Sequence, residues 1–414
     1  MDNLEEHLLL ATYRDFGIPD LTNVFTNFQK GQRADALAGK FEGVPAIICG
    51  GGPSLEKSIP ALKKVGDGAL VFGGGSALKT LSAAEVPIHF AAAVDPDACH
   101  NYFTAPLFYQ NRVSATFLSL YQGPKLCVGD SGAFPLEEWL TDLPQCDAGW
   151  NVSTFAAAVA AALGCSPIYF VGMDLCVTSP DGKKNPIDCT DREGNVVKTR
   201  PDFFMAKQWL EEFAKKVPCI NSSEGGLELE GIPNKPLPTF KPLPLQKKVK
   251  EAVAAAPLNP PSDKLKTLDA SVQRVRGILD NYLKALEENR NPVLHDYELG
   301  EELFYQRHLE RLWRVWGPQL QVKGNASKLQ EVLFYQSVTK EFAQARGELT
   351  TRYYRSGKLY STEPHKEQVP HGVHEYFYED GAVRSILPYK EGKLEGTVTL
   401  FWPDGTKKRE VRCG

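Results

Sequence analysis

Two rhythms of apolar and polar residues divide this chain of 414 residues. Between about residue 45 and residue 232, short, wholly apolar runs alternate with stretches whose apolar residues recur every three or four positions. The first kind reads as strands covered on both faces, the second as amphipathic helices. Strands are predicted at 45–49, 69–73, 88–94, 114–119, 125–128, 167–172 and 217–220. Helices are predicted at about 54–65, 76–84, 136–142, 153–163 and 202–216. This alternation predicts an α/β unit, a Rossmann-like and mostly parallel sheet with helices on both faces.

The flanks follow other patterns. Residues 1–40 read as a polar helical segment with Leu8, Leu9, Leu10, Phe25 and Phe28 as its apolar stripe. Beyond the unit at 41–232, prolines crowd residues 233–262 (among them Pro242, Pro244, Pro257, Pro260 and Pro261) and predict an extended, semi-rigid connector. Residues 263–346 return to helical spacing, first through Val272, Val275, Leu279, Tyr282 and Leu286. Leu303, Tyr305, Leu309, Leu312, Trp313 and Trp316 form a second stripe. A helical region packed on the sheet unit is expected, because aromatic stripes at this spacing are more often core than binding surface.

The final stretch, 347–414, repeats itself. Tyr353-Tyr354-Arg-Ser-Gly357, Phe377-Tyr378-Glu-Asp-Gly381 and Phe401-Trp402-Pro-Asp-Gly405 recur at a spacing of 24 residues, with Gly372 and Gly396 at the same period. Each unit is an aromatic strand entering a tight glycine turn, which predicts stacked β-hairpins in an antiparallel module. The pattern resembles the MORN-type repeats of the YwqK antitoxin-like family. That resemblance implies binding or assembly, with a protein partner or acceptor held through the tail.

Charge and cysteines narrow the setting. A net charge of −4 argues against a dedicated nucleic-acid binder. The opening Met-Asp-Asn-Leu-Glu-Glu lacks a signal pattern, and no apolar run reaches membrane-spanning length. The nine cysteines form no Cys-x-x-Cys pair, and Cys49, Cys127, Cys165 and Cys176 sit in apolar runs. A cytoplasmic, reducing compartment is expected, without structural zinc.

The candidate chemistry begins at Pro45-Ala-Ile-Ile-Cys-Gly-Gly-Gly-Pro-Ser-Leu55, a strand that ends in glycines and enters a helix. Such a junction gathers N–H groups and the positive helix end at one spot, which suits a phosphate. The stretch is not a Walker loop, because no Gly-Lys-Ser/Thr follows. Nor is it a dinucleotide fingerprint, because Leu55 occupies the third glycine position. Gly50, Gly51, Gly52, Pro53 and Ser54 are therefore candidate phosphate ligands, and an ordinary strand-to-helix turn is the plain alternative. Other predicted strand ends add Gly75 and Ser76, Asp95 and Asp97, Asp130 and Ser131, and Asp174. Asp95 and Asp97 could bind ribose hydroxyls or a divalent cation, although a helix cap explains Asp97 equally well. Asp174 has no evident capping role in the sequence, so Asp174, with Asp95, is the candidate catalytic carboxylate. His100 reads as a solvent-facing loop histidine. Ser153 or Thr154 is expected to cap the alanine-rich helix near 153–163 and to offer its N–H groups to an anion.

Taken together, Phe41 through Leu55, Val94-Asp95-Pro96, Gly164 through Leu175 and Asn221-Ser-Ser-Glu-Gly-Gly226 resemble the motility accessory factor (Maf) glycosyltransferases. Their wider grouping includes archaeal 6-hydroxymethylpterin diphosphokinase. The resemblance covers about 41–232. It implies a Rossmann-like transferase moving a nonulosonic or similar sugar from a nucleotide-sugar donor to a protein hydroxyl. It also implies that Gly50 to Ser54 hold the nucleotide phosphate and that Asp95 and Asp174 line that pocket. Ser153 and Thr154 would then contact the donor, and Asn221, Glu224, Gly225 and Gly226 would shape the acceptor side. Two other readings stay open: an ATP-dependent diphosphokinase with Mg2+ on Asp95 and Asp97, and a catalytically silent scaffold.

Overall fold

The computed structural model describes Leu8 and residues 21–96, 104–130, 135–176, 187–322, 327–347, 349–356, 358–366 and 369–414. Its centre is a parallel sheet of eight strands. These are β1 (Gln32–Arg33), β2 (Ala46–Cys49), β3 (Leu70–Gly74), β4 (Phe90–Ala93), β5 (Leu107–Tyr109), β6 (Lys125–Cys127), β7 (Ile168–Val171) and β10 (Cys219–Asn221). They lie in the order β1-β6-β5-β4-β3-β2-β7-β10. β2 through β5 and β7 are apolar and buried along their whole length, as a sheet covered on both faces requires. Phe72, Phe90 and Phe108 stack on neighbouring strands, with ring centroids 5.2 and 5.0 Å apart.

The order contains one reversal. From β2 the chain steps outward through β3, β4, β5 and β6, then returns to place β7 on the other flank of β2. Helix α2 (Leu55–Val65) buries Leu55, Leu62 and Val65 against one face, beside α3 (Ala77–Ala83). Helix α6 (Val152–Ala162) covers the other face, where its alanines lie against β2, β3 and β4. Between β7 and β10 come a small antiparallel hairpin, β8 (Ile187–Thr190) with β9 (Val196–Thr199), and helix α7 (Pro201–Ala214).

Three expectations need correction. Residues 114–119 are not a strand but helix α4 (Ala115–Leu120), and the strand at that step is Leu107–Tyr109. Ser114 caps the helix by accepting from the Phe117 N–H at 3.2 Å, and Phe117 packs edge-on against Tyr121 one turn later. The connector at 233–262 is not extended throughout. It contains helix α8 (Leu245–Ala254), whose Leu245, Val249 and Val253 are buried in the core below the sheet. Residues 21–40 are not a separate helical segment either. Residues 21–27 form helix α1, and Gln32–Arg33 then join the sheet as its edge strand.

The helical region comprises α9 (Lys264–Glu287), α10 (Val293–Gly300), a π-turn at Tyr305–Leu309, α11 (Glu310–Val322) and α12 (Lys328–Gly347). Val272, Val275, Leu279 and Tyr282 face Val332, Tyr335, Val338 and Phe342 in one core. Val24 and Phe25 of α1 enter that core, as do Leu136 and Leu140 of α5 (Pro135–Leu140), so the region is seated on the sheet unit.

The tail forms a separate antiparallel sheet in the order β11-β12-β14-β15-β17-β18. Its strands are β11 (Leu349–Tyr353), β12 (Leu359–Lys366), β14 (Gly372–Phe377), β15 (Val383–Lys390), β17 (Gly396–Phe401) and β18 (Lys407–Cys413). Short pieces at Val369–Pro370 (β13) and Lys393–Leu394 (β16) extend two hairpins. The repeat has a physical basis: Tyr354 donates its hydroxyl to the Phe377 carbonyl at 2.7 Å, and Tyr378 donates to Phe401 at 2.9 Å. Each unit thus ties itself to the next. The tail also docks on its own protein, because α4 lies against β14 and the buried Lys30 ammonium pairs with the buried Glu375 carboxylate.

Candidate functional site

Because all eight central strands are parallel, their carboxyl ends share one rim. Ligands of open α/β sheets bind where outgoing chains diverge, which here is between β2 and β7. β2 runs into Gly50-Gly51-Gly52, β7 into Gly172-Met173-Asp174, and β10, next to β7, into Ser222 through Gly226. Close packing joins these loops to the end of β3. A side chain at Gly51 would collide with Ser76 Oγ, one at Gly52 with the Asp174 carboxylate, and one at Gly226 with the Asp174 backbone. Only hydrogen at Cα lets the loops meet this closely.

Asp174 is the knot. It is 4% exposed and accepts from the Ser54 N–H at 2.7 Å and from the Ser54 hydroxyl. A carboxylate from β7 therefore caps helix α2, a role invisible in the sequence because its partner lies 120 residues away. Ser223 adds a second tie: its hydroxyl accepts from the Met173 N–H at 2.9 Å, and its own N–H goes to Asn221 Oδ1 at 3.0 Å.

These bonds alter the expected phosphate cradle. Gly50 gives its N–H to Val171, Gly52 gives its N–H to Gly172, Ser54 gives both donors to Asp174, and Pro53 has no N–H. Gly51 is the exposed position of the loop that these bonds leave over. The entry to α6 is likewise closed. Its cap is Asn151, not Ser153 or Thr154, and Asn151 Oδ1 accepts from both Ser153 and Thr154 N–H at 2.9 Å. Thr154 Oγ1 accepts in return from the Asn151 N–H at 3.0 Å, completing a capping box. Ser76, at the head of α3, is exposed and makes no side-chain cap, so Gly51, Gly75 and Ser76 form the open part of the floor.

The other nominated residues divide by strand. Asn221 ends β10 and is buried, Glu224 is exposed, and Gly225 lies against Ser54. Asp95 follows β4, exposed, two strands from β2 and so about 10 Å along the rim. Asp130 follows β6, four strands from β2 or about 19 Å, and is buried at 7% exposure; it does not join this cluster. Asp97, His100 and Ser131 lie outside the described residues.

Sequence reasoning missed Asn151, Ser223 and Arg192. Arg192 sits in the β8–β9 turn, where its N–H bonds to Gly226 O at 3.1 Å and its guanidinium donates to Ser223 O. The signal was present: Asp191-Arg-Glu-Gly194 between Ile187 and the Val196-Val197 pair has hairpin chemistry. Burial pushes the Cys49, Cys127 and Cys165 thiols up to about 12, which makes them inert. Among the described residues no group of three or more His, Cys, Asp or Glu side chains could hold a metal ion. The described helices include none long and apolar enough to cross a membrane.

Comparison with known proteins bears on this geometry. Residues 21–180 match the model of the family described as 6-hydroxymethylpterin diphosphokinase MptE-like, and residues 370–391 match a MORN repeat variant. The match starts at 21, in keeping with α1 and β1 being built into the larger unit. Among solved structures, the fold resembles the Maf glycosyltransferase from Magnetospirillum magneticum AMB-1, with a TM-score of 0.55 and 17% identity. That likeness covers 79% of this chain and 58% of the other, so this chain spans a little over half the length of its neighbour. At 17% identity that likeness is one of fold. No curated protein matches by sequence.

Proposed function

We propose that the protein is a nucleotide-binding transferase of the Maf-like kind, moving a nonulosonic or similar sugar from a nucleotide-sugar donor to an acceptor hydroxyl. The observation that carries this reading is the divergence of β2 and β7, with glycine loops packed closely enough to bring backbone up to a ligand. Gly51, Gly75 and Ser76 would meet the donor's phosphate and ribose. Gly50, Gly52, Pro53 and Ser54 would hold that floor in shape, and Asp174 would lock it. In the transfer step the acceptor oxygen bonds to the anomeric carbon and the bond to phosphate breaks. The phosphate leaves with the electron pair, and a carboxylate takes the acceptor proton. Asp95, exposed at the same rim, is the candidate for that base. Asn221, Glu224, Gly225 and Gly226 would border the acceptor. A protein acceptor or partner on the tail, and a cytoplasmic setting, complete the proposal.

The family match over 21–180 favours a second reading, an ATP-dependent diphosphokinase in which Asp95 would help hold Mg2+, and the metal would offset phosphate charge. Thermal shift with CMP, a CMP-sugar, ATP, and ATP with magnesium separates the two. Stabilisation by CMP or the CMP-sugar without metal supports the sugar transferase. A shift with ATP only when magnesium is added supports the diphosphokinase and overturns the first reading. No shift with any of them supports a silent scaffold.

A further inference from the structure

The rim poses a charge problem. The strand-end residues nearest β2 and β7 are acidic, Asp174 and Glu224, while the rim's described cation, Arg112, follows β5 beside Asp95-Pro96, three strands from β2. The ends of α2 and α6 compensate little, because Asp174 takes the Ser54 N–H and hydroxyl and Asn151 takes the Ser153 and Thr154 N–H groups. A phosphorylated ligand at β2 and β7 needs a cation closer than Arg112.

We infer that Arg192, carried on the β8–β9 turn, is the residue that binds the anionic phosphate of the ligand. This inference rests on the nucleotide-binding reading. One guanidinium N–H donates to Ser223 O, and the Arg192 backbone N–H bonds to Gly226 O. Ser223 and Gly226 are the two residues packed directly on Met173 and Asp174, so the guanidinium is anchored one contact from the divergence point. The turn that bears it is rigid. Asp191 Oδ1 accepts from the Glu193 N–H at 2.9 Å and from Asn195 at 2.8 Å, and the Asn195 bonds hold the Asp191 carboxyl below its usual range. Among the described residues no carboxylate forms an ion pair with Arg192, and the side chain is half-buried rather than extended into solvent. A fixed guanidinium with one N–H anchored retains four donors, the fork that phosphate recognition uses. Lys235 is a second described cation next to β10, but it is exposed and reaches the β10 loop through backbone bonds to Asn221 and Ser222.

Calorimetric titration with CMP, UDP and ADP, each beside its uncharged nucleoside, tests this on full-length protein. Arg192→Gln is expected to weaken nucleotide binding about 10- to 100-fold, the worth of one or two bonds to a charged group, and to leave nucleoside affinity unchanged. Arg192→Lys keeps the charge without the fork and should recover part of the loss. Equal weakening of nucleotide and nucleoside would make Arg192 structural and overturn the inference. So would unchanged nucleotide binding in Arg192→Gln, or a loss in Lys235→Gln instead. If the native protein binds none of the three nucleotides, the proposed function falls, and this inference with it.

Discussion

The Asp174–Ser54 contact gives the sharpest test of how the rim is held. Asp174 is almost fully buried and accepts two bonds, one from a backbone N–H and one from a hydroxyl. Bonds to a charged group contribute about 1.5–3 kcal/mol each. Asp174→Ala removes both and strands two buried donors at the head of α2, so a loss of about 3–6 kcal/mol is expected. Ser54→Ala removes the hydroxyl bond alone and should cost about 1.5–3 kcal/mol. Asp174→Asn can still accept from the amide and donate to the hydroxyl, which leaves the lost charge as a cost of about 1–2 kcal/mol. Because the hydroxyl bond no longer exists in Asp174→Ala, adding Ser54→Ala should cost little more, giving a coupling of about 1.5–3 kcal/mol. Equilibrium urea unfolding measures the series, and hydrogen exchange at the Ser54 amide reports the contact directly. An Asp174→Ala protein that loses less than about 1 kcal/mol, additively with Ser54→Ala, would refute the capping role. With Asp174→Asn still folded, its turnover then tells whether the carboxylate does anything beyond holding the loops.

Three further outcomes follow from other contacts. Gly226→Ala places a methyl on the Asp174 backbone at a φ of +93°, and overpacking with left-handed strain should cost about 2–5 kcal/mol in the same unfolding assay. His308, stacked on Phe304 with centroids 5.2 Å apart, has its pKa pushed down to about 4 by burial, so the folded state keeps it neutral. Between pH 6.5 and 4 the unfolded chain binds a proton that the folded one refuses; stability is therefore full above that window and falls by up to about 3 kcal/mol through it. His308→Phe should flatten that part of the stability profile. Glu375→Gln leaves the buried Lys30 charge alone and should cost about 3–5 kcal/mol, whereas Lys30→Met with Glu375→Leu should recover most of it.

Much of the fold was legible because buried parallel strands need long apolar runs, and Ala46–Cys49, Leu70–Gly74 and Ile168–Val171 supply them. The tail was legible because its turn chemistry recurs at a fixed period. Misreadings arose where local pattern is ambiguous. Ser114-Ala-Thr-Phe-Leu-Ser-Leu120 alternates enough to pass for a strand until the Ser114 cap is seen. Helix α8 was hidden among prolines that flank it rather than interrupt it. At the site, sequence gave the glycines and carboxylates at strand ends but not their neighbours. Strand order decides that Asp174 meets Ser54 and that Asp130 stands far off, and no local signal encodes strand order. The helix starts were found, but their donors were already engaged by Asp174 and Asn151, because capping geometry depends on partners as well as on residue type.

The Lys30–Glu375 pair also constrains how the molecule is made. Its members are 345 residues apart. At about 5–20 residues per second, a ribosome releases the second roughly 20–70 s after the first. Throughout that interval the nascent sheet holds a hydrated ammonium where its finished form is dry, so the edge near β1 must stay open until Glu375 has been made. Completion of the sheet unit is thus timed by the translation of the repeat that carries Glu375.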